Sequence, residues 1–136
     1  MAFVLDCSVT MTWVFPEESS SSLDALGDTL ATEAAIVPEI WPFEVANTLL
    51  VALRRGRLEE NEFSSLIAQL RVLPVEIDHD SGAQVFMRSL ELARRYALTS
   101  YDASYLELAS RRHLPLATLD KQLADACVSE RVRVLN

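Results

Sequence analysis

Four carboxylates stand where an alternating α/β chain would expose them. Asp6 follows the apolar run Phe3-Val4-Leu5, and Asp120 follows Ala117-Thr118-Leu119. Asp102 lies in Leu98-Thr99-Ser100-Tyr101-Asp102-Ala103. Glu44 interrupts Ile40-Trp41-Pro42-Phe43-Glu44-Val45-Ala46, with Asn47 one turn later on the same helical face. Carboxylates gathered without His or Cys are hard oxygen donors of the kind that suits Mg²⁺ or Mn²⁺. An ion held there would lower the pKa of a bound water and act as a Lewis acid.

Each acid also has a local explanation. Asp is a favoured helix cap, contributing about 1 kcal/mol, and Asp6 and Asp120 both precede helical patterns. Thr99 and Asp102 have capping-box spacing. Glu44 in a first turn gains roughly 0.3–1 kcal/mol from the helix dipole. It is the least well explained in this way, because a charge among Trp41, Phe43 and Val45 is costly unless paired. Together the four are a different matter. Two like charges about 4 Å apart repel by roughly 4 kcal/mol at an effective dielectric near 20. Capping does not offset that, so convergence of the four would call for a cation.

Whether they converge depends on the elements that carry them. Strands are expected at Phe3–Leu5, Ala35–Val37, Val75–Ile77, Leu116–Thr118 and Val132–Val134. Helices are expected through Trp13 and over about 20–32, from Pro38/Pro42 to Arg55, then over about 59–71, 81–96, 101–112 and 121–128. Ser21 and Asp24 have the spacing of a capping box at the second helix. Pro42 suits a helix start and Gly56 a helix end. Short apolar strands alternating with amphipathic helices predict a mainly parallel five-stranded sheet in a three-layer α/β/α sandwich. Ligands in such sheets bind outside the carboxyl ends of the strands, which is where the acids fall.

The chain has 136 residues, half of them hydrophobic, and reads as one domain over residues 1–136 without repeat or linker. No apolar run approaches the roughly 20 residues of a membrane span. The start, Met1 to Asp6, lacks a basic segment and meets an acid at once, unlike a secretory leader. Cys7 and Cys127 have no metal-ligand spacing and read as buried thiols of a cytoplasmic protein. The net charge is −8, which works against unaided binding of a polyanion. Eleven of the twelve cations are arginine, several in clusters such as Arg54-Arg55-Gly56-Arg57, Arg94-Arg95 and Arg111-Arg112. The first of these groups fits phosphate contact and a helix end equally well.

The segments Val4-Leu5-Asp6-Cys7-Ser8, Pro42-Phe43-Glu44-Val45-Ala46-Asn47, Leu98 to Tyr105 and Ala117-Thr118-Leu119-Asp120 resemble the four motifs of PIN domains. The likeness is nearest to the VapC-like toxins of bacterial toxin–antitoxin modules and spans nearly the whole chain. The resemblance implies a PIN-like fold and a metal-dependent endoribonuclease using Mg²⁺ or Mn²⁺. Its acidic quartet matches Asp6, Glu44, Asp102 and Asp120, serving as metal ligands and catalytic groups. Ser8 and Thr118 match supporting hydroxyls, and Asn47 matches a polar position beside the glutamate. Some relatives carry another acid just after the last Asp, where Lys121 and Gln122 stand here, so one metal or two remains open. The resemblance also implies an RNA substrate, a cognate antitoxin that places a cationic segment near the acids, and a homodimer.

Other residues carry less. His79, in Asp78-His79-Asp80, has no second His nearby and reads as a solvated cap region; His113 suits a helix end. Trp13, Phe15 and Trp41 could stack on bases, but their apolar neighbours favour core or subunit contact. A haloacid-dehalogenase-type phosphatase would want an Asp where Ser8 stands. A response-regulator receiver would want an acid pair before the first helix, which is missing. A PIN-like fold kept only as a binding module, its acids holding a basic peptide, is the non-enzymatic alternative.

Overall fold

In the computed structural model, residues 2–80 and 82–136 are described. Met1, first residue of the segment read above against a secretory leader, and Ser81, where a helix was expected to begin, lie outside them. Five strands form one sheet: β1 Phe3–Leu5, β2 Ala35–Pro38, β3 Val75–Asp78, β4 Leu116–Ala117 and β5 Val134–Leu135. Their order is β3-β2-β1-β4-β5 and every pairing is parallel. The helices are α1 Cys7–Val14, α2 Ser21–Thr29, α3 Trp41–Arg54, α4 Glu60–Arg71, α5 Ala83–Tyr96, α6 Ser100–Arg112 and α7 Lys121–Ser129.

The central strand β1 is buried at every residue, as are the flanking β2 and β4, whereas the edge strands β3 and β5 are partly exposed. Strands covered on both faces must be continuously apolar rather than alternating, and Phe3-Val4-Leu5 and Ala35-Ile36-Val37 are. Helix contacts fall into two groups, α1 with α2 and α3 and α3 with α4, and α5 with α6 and α6 with α7. Helix α6 lies against β1, β2 and β4 and sends Tyr105, Leu106 and Leu108 into the core. This is the three-layer architecture expected from the alternation of strands and helices.

Three local expectations are corrected. Helix α2 ends at Thr29 and is capped by Ser20, whose Oγ accepts from the Leu23 N–H at 3.3 Å, so the box placed at Ser21 does not form. The last strand is Val134–Leu135 rather than 132–134: Arg131 has φ 60°, and Val132 is buried just before the strand. Thr118 falls just past β4, where its hydroxyl is free to serve the site. Gly56 does end the α3 region with a φ of 73°, which a residue bearing a Cβ adopts only under strain.

The aromatic side chains Phe15 and Trp41 are buried, with Trp41 Nε1 donating to Thr10 Oγ1 at 3.1 Å. Trp13 Nε1 donates to the Leu23 carbonyl at 3.0 Å. These rings belong to packing, as their neighbours implied. Arg57 is likewise engaged within the fold, donating to Glu17 and Glu18 and lying 3.6 Å from the Phe15 ring centroid.

Candidate active site

The chain runs from β1 outward to β2 and β3, then returns across the molecule to β4 and β5 on the other side. The carboxyl ends of β1 and β4 therefore flank the point where strand order reverses, where crevices form in open α/β sheets. Asp6 leaves β1 at this point, its N–H donating to the Ala117 carbonyl of β4 at 3.0 Å. Thr118 and Asp120 leave β4 beside it. The register Leu5 opposite Ala117 makes Asp6 and Thr118 neighbours across the ladder.

Asp6 occupies the cap position of α1 but makes no side-chain capping bond. Its carboxylate instead accepts two hydroxyls on Oδ2, from Ser8 at 2.6 Å and Thr118 at 2.7 Å. Those hydroxyls are themselves fixed. Ser8 Oγ accepts from the Leu119 N–H and Thr118 Oγ1 from the Asp120 N–H, each at 3.0 Å. The loop after β4 is thus tied to Asp6 through both supporting hydroxyls named from the sequence. Asp120, by contrast, does cap its helix, with Oδ1 accepting from the Leu123 N–H at 2.8 Å.

Glu44 sits in the first turn of α3, half-buried. Its charge has the partner that its apolar neighbours demanded: Tyr105 donates its phenol hydrogen to Glu44 Oε1 at 2.6 Å. Tyr105 is wholly buried on α6, one turn after Asp102. The sequence reading did not single it out as a supporting residue. The available signal was the spacing of three from Asp102, which puts both on one face of a helix. Asn47 is exposed and makes no side-chain hydrogen bond among the described residues, whereas the next residue, Thr48, back-bonds to the Glu44 carbonyl. Asp102 follows the cap Thr99, whose Oγ1 accepts the Asp102 N–H at 3.1 Å.

The four acids form a gradient of burial, Asp6 enclosed, Glu44 and Asp102 half-buried, Asp120 exposed. Burial holds the carboxyls of Asp6, Glu44 and Asp102 above the ordinary carboxylate range. The charge of Asp120 adds to the effect on Asp6, the charges of Asp6 and Asp102 add to it on Glu44, and those of Asp6 and Asp120 add to it on Asp102. The hydroxyls of Ser8 and Thr118 oppose the shift at Asp6, and Tyr105 opposes it at Glu44. So the quartet shares one electrostatic neighbourhood, and the helix starts at α1, α3, α6 and α7 relieve only part of the strain.

The donor set is all oxygen and carries excess negative charge, which fits a divalent cation. As the side chains stand, no group of three or more His, Cys, Asp or Glu among the described residues is arranged to hold an ion. Neither Cys7 nor Cys127 competes as a ligand: burial pushes both thiols up to about 12, and both are free. His79 is largely exposed on the β3 edge. Asp78 and Asp80 beside it bind Arg111, which Glu107 also holds.

Comparison with known proteins identifies the family and the fold. The model of the PIN domain matches residues 3–128. Ribonuclease VapC3 of Pyrobaculum aerophilum is 34% identical over 125 residues, covering 92% of this chain and 94% of that protein. The crystal structure of PAE2754 from the same organism superposes with a TM-score of 0.70 at 22% identity, covering 93% of this chain and 87% of that one. VapBC2 from Rickettsia felis, solved bound to a DNA fragment from its promoter, gives a TM-score of 0.66 at 13% identity over 98% of this chain and 97% of that chain. A family match over nearly the full length, on a sheet that brings the four motif acids to one edge, establishes that this chain belongs to the PIN domain family.

Proposed function

We propose that the chain is a ribonuclease that hydrolyses RNA phosphodiester bonds as the toxin of a toxin–antitoxin module. Membership of the PIN family and identity to a VapC ribonuclease support that reading. The observation that carries the chemistry is the shared field of Asp6, Glu44, Asp102 and Asp120 at the carboxyl edge of the sheet.

Asp6 and Asp120 would hold Mg²⁺ or Mn²⁺, with Glu44 and Asp102 as further ligands directly or through water. When bound, the ion lowers the pKa of an attacking water and neutralises charge on the phosphate. The chain's own part is orientation. Ser8 and Thr118 fix the Asp6 carboxylate, and Tyr105 fixes that of Glu44. No His or Lys is required.

An antitoxin with a cationic segment is the partner that this negative pocket would accept, and relatives solved as toxin–antitoxin complexes support one. A homodimer and a place in the cytoplasm belong to the same proposal. No helix among the described residues is long and apolar enough to cross a membrane. The alternative, a binding module without activity, draws on one observation, that the acids are not closed around an ion position. Cleavage of structured RNA by wild type, Asp6→Asn and Asp120→Asn in Mg²⁺ or Mn²⁺ tests the proposal. Equal rates in all three would remove it. Calorimetric titration with metal separates a working site from a relic.

A further inference from the structure

Eight large hydrophobic side chains stand exposed among the described residues, and three of them directly precede an acid of the quartet. Phe43 is 72% exposed before Glu44, Tyr101 is 57% exposed before Asp102, and Leu119 is 45% exposed before Asp120. All three sit at the carboxyl edge of the sheet, in the first turns of α3 and α6 and in the loop entering α7. The core positions next to them are taken by other residues: Val45 after Glu44, Ala103 after Asp102 and Leu123 inside α7 are buried.

Along the sequence few cations adjoin the acids, and Arg94 and Arg95 stand in the last turn of α5, just ahead of α6. No Lys or Arg lies within three residues of Asp6, Glu44 or Asp102. Lys121, next to Asp120, is paired with Asp125 at 2.8 Å. Arg57 is held by Glu17 and Glu18, and Arg111 and Arg112 sit at the far end of α6 among acids. A polyanion approaching this edge meets carboxylates and apolar rings. Phosphate contacts supply affinity without reading bases, whereas every nucleobase has a face that stacks on an aromatic ring.

We propose that Phe43 and Tyr101 form a stacking platform for the unpaired bases beside the scissile phosphate of single-stranded RNA, with Leu119 as an apolar contact on the Asp120 side. The proposal rests on the ribonuclease reading and adds how substrate is held. It places recognition on base faces, so the platform tolerates many sequences but requires unpaired nucleotides.

The test uses a fluorescein-labelled single-stranded RNA 12-mer containing all four bases, the same strand annealed to its complement, and the full chain as wild type, Phe43→Ala, Tyr101→Ala and Phe43→Trp. Each alanine variant is expected to raise KM for the single strand about five- to a hundredfold with kcat nearly unchanged. An abasic nucleotide at the stacked position should cost wild type the same factor and cost the matching alanine variant nothing further. Phe43→Trp should keep KM near that of wild type, with indole fluorescence quenched on binding. Cleavage by all variants with unchanged KM overturns the platform and leaves the nuclease reading intact, whatever the variants do to a protein partner. Preference for the duplex overturns it as well. Failure of wild type to cut any RNA, total tRNA included, removes both.

Discussion

Tyr105 donates to Glu44 across 61 residues of sequence, from inside one helix to the first turn of another, at 2.6 Å. That bond joins two of the four motif segments, and it explains how a carboxylate is kept beside Trp41, Phe43 and Val45. It also burdens the phenol: burial, and then the acceptor carboxylate, push the Tyr105 hydroxyl far above its usual range. Tyr105→Phe keeps the ring and removes the donor. Folding stability is expected to fall by about 1–2 kcal/mol, and RNA cleavage by roughly tenfold to a hundredfold, as for other groups that orient metal-binding side chains. Denaturant melts and steady-state rates check the two effects separately.

Asp6 and Asp120 are the acids on which the proposed chemistry depends most. Asp6→Asn and Asp120→Asn should each lower cleavage by about 10²–10³, the scale of losing one preorganised electrostatic contact to the transition state. Circular dichroism should be unchanged. Retained activity in either variant would move the metal elsewhere.

The pH dependence of stability follows from the same crowding. Asp6 has a folded-state pKa above its unfolded value, chiefly through burial. Its contribution is therefore fully present below the ordinary carboxylate range and is lost as pH rises through the raised pKa. Asp6→Asn removes a charge that destabilises the metal-free fold at neutral pH. The variant should match or exceed wild type there, by on the order of 1 kcal/mol. The advantage should vanish as pH falls and Asp6 itself becomes neutral. Melting curves in chelator from pH 7 downward check this, and a variant less stable at pH 7 would refute the crowding.

Divalent metal should reverse that penalty. Mg²⁺ or Mn²⁺ at 100 times its dissociation constant would stabilise wild type by about 2.7 kcal/mol through binding to the folded state alone. The Asp6→Asn and Asp120→Asn variants should show far less. Thermal shift with and without metal decides it, and an equal shift in all three proteins would point to binding away from the quartet.

Glu107 supplies a control away from the chemistry. It is 4% exposed and binds Arg111 through both oxygens, at 2.7 and 3.2 Å, while Arg111 also reaches Asp78 on β3. Glu107→Ala leaves the guanidinium with only its partners at the β3 end and should cost about 1–3 kcal/mol of stability. kcat for RNA should stay near wild type at temperatures where the variant is folded.

The sequence by itself determined the elements, because each depends on neighbours along the chain. Continuous apolar runs gave β1, β2 and β4; Pro42, Gly56 and Thr99 marked helix ends; Asp120 was legible as a cap. The last strand was misplaced at 132–134 because the left-handed Arg131 delays its start, a backbone choice that side-chain type does not announce. The motif acids were legible as residue types, and their resemblance to the PIN pattern supplied the grouping. Only the tertiary structure decided which carboxylates act as caps and which do not. Asp6 and Asp120 occupy equivalent positions after strands, yet Asp120 caps its helix while Asp6 turns to Ser8 and Thr118. That difference arises because the parallel pairing of β1 with β4 sets Thr118 beside Asp6, a contact made across 112 residues. Tyr105 and the exposed Phe43 and Tyr101 were hidden for the same reason. Local pattern shows that a side chain is aromatic, but burial and partners are properties of the whole packed chain.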